Sequence, residues 1–234
     1  MKILVACEES QKVCKAFRAR GHEAYSCDIL KCSGGHPEWH ILHDVSEILN
    51  GSVEFETMDG HKHCIDGAWD MVIAFPPCTH LAVSGAQWFK LKRESGLQEE
   101  AIRFFCMFLE CNAKKLVIEN PVGIISGHYV WQYYPFLAGK YNLPCKPTQV
   151  IEPWMFGDPY PKKTCLWIKG VKPLVPEITE KPEMEYVQII TPGRKPVRLP
   201  KWYSDCFRLP PDERARKRST TFDGIARAMA EQWG

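Results

Sequence analysis

Trp69-Asp70-Met71-Val72-Ile73-Ala74-Phe75, followed at once by Pro76-Pro77-Cys78-Thr79-His80, is the stretch on which the architecture turns. Its near-continuous apolar character predicts a strand buried on both faces, and the two prolines end it. Upstream, Lys2–Ala6 is a second short apolar run, followed by the polar turn Glu8-Glu9-Ser10. Val13, Ala16 and Phe17 then recur at helical spacing until Gly21. Ala24–Ile29 predicts a strand that carries Asp28, and Ile41-Leu42 ahead of His43-Asp44 a shorter one. Downstream, Leu97, Ala101, Phe104, Phe105, Phe108 and Leu109 mark a long amphipathic helix, and Lys115–Ile118 a fifth strand that delivers Glu119-Asn120 at its end. Strands alternating with helices predict an α/β fold with a mostly parallel sheet and flanking helices.

Open α/β sheets bind ligands outside the carboxyl ends of their strands. The residues to watch are therefore those at the strand ends: Glu8, Asp28, Asp44, Cys78 and Glu119. From Val171 to Pro200 the texture changes, with six prolines (173, 176, 182, 192, 196, 200) and no clear periodicity, which reads as an irregular insertion. Order returns in a terminal helix whose face is Phe222, Ile225, Ala226, Met229 and Trp233, with Thr221 as its expected cap. The chain thus divides into a core over 1–170, a Pro-rich insertion over 171–200, and a C-terminal segment over 201–234 that packs back on the core.

With 234 residues the chain is long enough to bury a real core, and 45% hydrophobic and 25% charged residues are ordinary for a globular protein. Its apolar runs are far too short to cross a bilayer, and the run at Met1–Ala6 ends at Cys7-Glu8-Glu9 without a cleavage site, so a cytoplasmic protein with no membrane partner is expected. Its eleven cysteines should then be mostly reduced. The net charge of +2 says little, but its distribution says more. Between Arg194 and Arg218 nine Lys/Arg residues face three acids, with Trp202, Tyr203 and Phe207 among them. That mixture suits a phosphate-bearing ligand whose bases can stack, or simply a solvated basic face.

A cysteine held by two prolines at the rim of a sheet is rigidly placed, and its thiolate is the reactive form. Glu119, at the end of the next predicted strand, would face the same crevice. Cysteine plus carboxylic acid is what addition to a pyrimidine requires: the thiolate adds to ring carbon 6 while the acid serves ring nitrogen 3, making carbon 5 nucleophilic. A buried structural thiol and a capping or salt-bridged carboxylate are the alternative readings of these two residues.

At these residues the chain resembles the cytosine-5 methyltransferases, in particular the short phage-type members. Pro77-Cys78-Thr79-His80-Leu81-Ala82-Val83-Ser84-Gly85 is similar to the family's Pro-Cys-Gln-x-Phe-Ser-x-Ala-Gly loop, with Thr79 in place of Gln. Glu119-Asn120-Pro121 resembles its Glu-Asn-Val motif. Phe156-Gly157-Asp158-Pro159 with Lys162-Lys163 stands where the family has Gly-Val-Pro-Gln-x-Arg, and Gly224-Ile225-Ala226 resembles the closing motif. The resemblance implies a Rossmann-like methyltransferase fold, S-adenosylmethionine as cofactor, Cys78 as nucleophile and Glu119 as acid. It places the cofactor at Ala6, Glu8, Ser10, Asp28, Asp44 and Pro76, and the cytosine at Pro77, Thr79 and Asn120. Lys162, Lys163 or Thr164 would stand in for the missing arginine. The first loop, Ala6-Cys7-Glu8-Glu9-Ser10-Gln11, lacks the family's glycines, which limits backbone approach to a ligand.

The largest departure is size. In place of a target-recognition domain the chain has only the Pro-rich stretch, which offers few base-edge contacts. DNA is the expected substrate, methylated with weak or short-context sequence selectivity or with the help of a partner; a free cytosine nucleotide is the alternative, and a catalytically inactive nucleic-acid-binding relative the third reading. Amino-group methyltransferases carry an aromatic residue after Pro-Pro, where this chain has Cys78. The cluster His61-Lys62-His63-Cys64, with His36, His40 and His43 before it, lacks paired zinc-ligand spacing, and no metal is expected.

Overall fold

The computed structural model describes residues 1–190, 193 and 196–234. Its strands are β1 (Lys2–Ala6), β2 (Glu23–Asp28), β3 (His40–Leu42), β4 (Val53–Glu56), β5 (Lys62–Ile65), β6 (Met71–Ala74), β7 (Lys115–Pro121), β8 (Gln149–Ile151), β9 (Thr164–Lys169), β10 (Tyr186–Ile189) and β11 (Val197–Pro200). Its α-helices are α1 (Lys12–Ala19), α2 (Phe89–Glu94), α3 (Leu97–Leu109), α4 (Tyr129–Tyr133), α5 (Pro135–Tyr141), α6 (Lys201–Cys206), α7 (Pro211–Ser219) and α8 (Asp223–Trp233).

Seven strands form one sheet in the order β3-β2-β1-β6-β7-β9-β8. The first five are mutually parallel, and β9 runs antiparallel to both β7 and β8. The chain therefore starts at the centre, walks to one edge, and crosses back past β1 to β6. That reversal is the topological switch point at which open α/β sheets form their crevice. The expected mostly parallel α/β sheet with flanking helices is present, and it is compatible with a Rossmann-like fold.

Alternation along the strands sorts the core onto two faces. Ile3, Val5, Met71, Ile73 and Val117 pack under α1 and α8 through Val13, Phe17, Ile225, Met229 and Trp233. Leu4, Ala6, Val72, Ala74, Leu116 and Ile118 pack under α3 and α5 through Ile102, Phe105, Phe108, Leu137 and Ala138. The strand β6 is buried at all four positions, as its apolar run requires. Burying a side chain of this size contributes roughly 1.5–3 kcal/mol, so the doubly covered central strands are the most costly part of the sheet to open.

Several boundaries differ from the sequence reading. The fifth predicted strand does not stop at Ile118: β7 continues to Pro121 because β9 pairs with it, Glu119 opposite Leu166 and Asn120 opposite Cys165. The terminal helix is not capped by Thr221; Phe222 holds the N-cap position without a side-chain hydrogen bond. Its first turn is instead fixed by the Gly224 amide, which donates to Asp158 Oδ2 at 2.8 Å. Only glycine allows this approach, since a Cβ there would lie 1.9 Å from the Phe156 carbonyl oxygen. The Pro-rich stretch is not wholly irregular, because β10 and β11 form a two-stranded ribbon within it. Pro192, Arg194 and Lys195 lie outside the described residues.

The cluster His61-Lys62-His63-Cys64 lies on the β4–β5 hairpin. There His61 Nδ1 lies 2.6 Å from Asp59, while His63 contacts the Tyr25 hydroxyl at 3.0 Å and the Thr57 hydroxyl at 3.1 Å. Among the described residues no three His, Cys, Asp or Glu side chains are grouped to hold a metal ion. Nor, among them, is any helix long and apolar enough to cross a membrane.

Candidate active site

Cys78 and Glu119 come together because their strands, β6 and β7, are parallel neighbours in register, Ala74 opposite Ile118. The loop after β6 is then locked from three sides. The Asn120 side-chain amide, itself 2% exposed, donates to the Pro76 carbonyl at 2.7 Å. The amides of Leu81 and Ala82 donate to the Cys78 carbonyl at 3.0 and 2.9 Å. Beyond them, Val83 donates to the Val122 carbonyl and Ile124 to that of Leu81, so the loops after β6 and β7 are stitched together. Asn120 is thereby committed to positioning the loop; Pro77 and Thr79 are exposed beside the half-buried Cys78.

The antiparallel pairing of β9 with β7 carries Lys162 and Thr164 to the same place. Burial pushes the Glu119 carboxyl above the usual carboxylate range, opposed by the Lys162 charge and a hydrogen bond from Thr164. Burial, then the Glu119 charge, push the Cys78 thiol up, opposed by Lys162 and Arg218. The two groups are thus coupled. When Glu119 holds its proton, its repulsion of the thiolate disappears while the two cations remain. A protonated carboxyl beside a thiol under positive charge can donate a proton to a ring nitrogen while the sulfur attacks a ring carbon. Lys162 is fixed by donating to the Arg218 carbonyl at 2.9 Å, and Lys163 is exposed.

Across the switch point the ends of β1, β2 and β3 form a second polar cluster. Asp28 ends β2, the neighbour of β1, and Asp44 follows β3; burial pushes the Cys7 thiol well up, with further contributions from Asp28, Cys27 and Asp44. Asp28 is half-buried and its carboxyl is pushed up by that burial, though it accepts from the Leu30 amide at 2.9 Å. Asp44 is exposed and held down by its hydrogen bonds with Ser46. Ala6 and Pro76 are buried where the two clusters meet. Ser10 is half-buried beside Gly34, where a Cβ would lie 2.6 Å from its carbonyl oxygen.

Glu8 serves the fold. Its carboxylate oxygens accept from the amides of Val13 at 2.6 Å and Cys14 at 3.1 Å, satisfying the first turn of α1, while burial pushes its pKa to about 8. Its neighbour Glu9 has one carboxylate oxygen 3.6 Å from Arg216 and the other buried without a hydrogen-bond partner among the described residues. Cys7 and Gln11 supply the left-handed turns (φ 59° and 58°) that glycines would supply in a glycine-rich loop. Gln11 is held there by hydrogen bonds to Ser26 and to the His36 backbone.

The basic C-terminal segment reaches both clusters. Helix α7 has no buried residue, yet Arg216 pairs with Glu9 and Arg218, stacked 4.5 Å above the Tyr203 ring, acts on Cys78. A cavity of about 520 Å³ beside α1 is lined by Lys12, Arg216, Lys217, Thr220, Thr221 and Phe222, among others. Trp202 packs against Tyr160 and Phe222, leaving Phe207, 49% exposed, as the most open of the three aromatics. The sequence reading missed a second exposed group next to the nucleophile's loop, Val83, Trp88 and Leu91, and the lysine among them, Lys92. No family model matches the chain, and no curated protein matches it significantly.

Proposed function

We propose that the chain is a methyltransferase of the cytosine-5 type, acting on cytosine in DNA with Cys78 as nucleophile and Glu119 as acid. The observation that carries this reading is the placing of the Cys78 thiol, in the loop after β6, beside the Glu119 carboxyl of the neighbouring strand β7, whose pKa burial raises, with Lys162 and Arg218 opposing the rise of the thiol. S-adenosylmethionine, when bound, would supply the methyl group. The residues at the ends of β1–β3 fit it: Asp28 and Asp44 can accept from ribose hydroxyls and an amino group, and the unpartnered Glu9 oxygen calls for a donor.

The chain's own part follows from the geometry. The Cys78 thiolate forms a bond to ring carbon 6, and Glu119 gives its proton to ring nitrogen 3, so that the ring electrons collect on carbon 5. After carbon 5 is methylated, its hydrogen leaves as a proton to solvent, the sulfur–carbon 6 bond breaks, and ring nitrogen 3 returns its proton to Glu119, restoring the ring, the acid and the thiolate. Lys162, anchored on the Arg218 carbonyl, keeps positive charge over the site throughout.

The basic α7, exposed Phe207 and the Trp88 group favour a polynucleotide, whose phosphates and unstacked bases they suit. A second reading, a free cytosine nucleotide, is favoured by the small size of the β10–β11 ribbon, which offers little for base-edge readout. The test is covalent capture. DNA carrying 5-fluorocytosine cannot lose the carbon 5 substituent as a cation, so the cysteine adduct persists after methylation. Peptide mapping should find it on Cys78 when cofactor is present; absence of any adduct, or an adduct on another cysteine, refutes the assignment.

A further inference from the structure

Lys92 is used by none of these assignments. It belongs to α2, a short helix in which Phe89 is the one buried residue. A lysine on such a helix would ordinarily extend into water. Instead its side chain turns back, and Nζ donates to the carbonyl oxygen of Thr79, the residue following Cys78. Burial pushes the ammonium's pKa down, while the Cys78 charge pulls it up. The contact is solvent-exposed, so the ammonium keeps much of its hydration while its charge is tied to the nucleophile's own loop. Residue 85 is glycine; a Cβ there would lie 3.0 Å from Nζ, close enough to nudge the lysine tip by a few tenths of an ångström. Three charged groups act on the Cys78 thiol, each from a different element: Glu119 from β7, Lys162 from the approach to β9 and Arg218 from the end of α7. Lys92, from α2, joins them through its contact with the next residue's carbonyl and in turn feels the Cys78 charge. His80, two residues on, is held toward its neutral form by burial and by Lys92.

We propose that Lys92 is a positioning residue for the nucleophile: from α2 it ties down the Thr79 carbonyl and fixes a positive charge beside Cys78. Thiolate formation is therefore tuned by a helix outside the sheet, and any movement of α2 alters the reactivity of Cys78. The inference rests on Cys78 being the reactive thiol, so the test reads the thiol itself rather than methyl transfer.

Native full-length protein and the variants Lys92→Met, Lys92→Arg and Gly85→Ala are labelled with iodoacetamide across a range of pH, and each cysteine is followed by peptide mass spectrometry. Exposed Cys64 serves as the internal control. In Lys92→Met the Cys78 midpoint should move to higher pH and its labelling at neutral pH should fall about tenfold, the effect of a one-unit shift, with Cys64 unchanged. Lys92→Arg, which keeps the charge, should stay near the native midpoint, and Gly85→Ala should lie between. A Lys92→Met protein that labels as the native protein does overturns the proposal. So does Lys92→Arg shifted as far as Lys92→Met, since the charge would then have no part. If native Cys78 resists labelling as buried Cys14 does, the nucleophile assignment fails as well. Thermal unfolding of each variant separates loss of charge from loss of fold, and the arginine variant keeps the test decisive if the methionine variant does not fold.

Discussion

Replacing Asn120 with alanine should loosen the nucleophile's loop and lower stability together. The Asn120 amide donates to the Pro76 carbonyl at 2.7 Å, and Asn120 is 2% exposed. Removing the donor strands a buried proline carbonyl, which water reaches poorly and which costs about 1–3 kcal/mol to leave unpaired. For a chain of this size each kcal/mol moves the melting temperature by roughly 2–4 °C, so a loss of about 4–8 °C follows for a mid-range cost of ~2 kcal/mol. Activity should fall much further, because a displacement of about 1 Å at a reacting atom can cost on the order of a hundredfold. The assay pairs thermal unfolding with transfer of labelled methyl groups, and Asn120→Asp, equally unable to donate, should reproduce both losses. An Asn120→Ala protein that melts with the native protein and transfers methyl groups at the native rate would refute the idea that this hydrogen bond fixes the loop.

Glu119→Gln should lose most activity while retaining cofactor affinity, since an amide cannot give a proton to ring nitrogen 3; wild-type turnover would move the acid role elsewhere. The double substitution Asp28→Ala/Asp44→Ala should weaken S-adenosylmethionine binding, and unchanged affinity by calorimetry would contradict the placement. Glu8 gives a pH prediction. Its pKa is raised in the fold from 4.5 to about 8, so the folded state holds a proton that the unfolded state has released. That contribution to stability is complete below about 4.5 and is lost as pH rises through about 8. The melting-temperature gap between native protein and Glu8→Gln should change across that window, and a constant gap would count against the raised pKa. Polynucleotide binding should weaken steeply with salt, and neutralising Arg214 and Lys217 should flatten that dependence; identical salt slopes would remove α7 from the interface.

How much of this was legible in the sequence depends on what each residue answers to. The central strands announce themselves because Met71–Ala74 and Ile3–Ala6 are buried on both faces and can tolerate no polar residue. The β4–β5 hairpin does not, because Val53-Glu54-Phe55-Glu56 and Lys62-His63-Cys64-Ile65 are mostly solvated and carry too little apolar pattern to separate from a loop. The apolar run ends at Ile118, so the sequence alone puts Glu119 after its strand, whereas the partner β9 extends pairing to Pro121. Local polarity could not reveal that long-range partner. Glu8 and Asn120 show a similar limit: both stand at strand ends where ligand contacts are expected, yet their side chains hold α1 and the Pro76 loop. Lys92 left no trace at all, since a lysine on a polar helix has no sequence feature telling whether it faces water or turns back thirteen residues to Thr79.

Methyl transfer to cytosine carbon 5 through Cys78 can be followed in a single parallel experiment. Labelled S-adenosylmethionine is incubated with native protein or Cys78→Ala and with DNA, RNA or cytidine nucleotides, and the labelled base is identified after digestion. DNA should yield 5-methylcytosine with native protein and none with Cys78→Ala, which should still bind the cofactor. Label on cytosine in the Cys78→Ala reactions, label at a position other than carbon 5, or no transfer to any cytosine substrate would contradict this assignment.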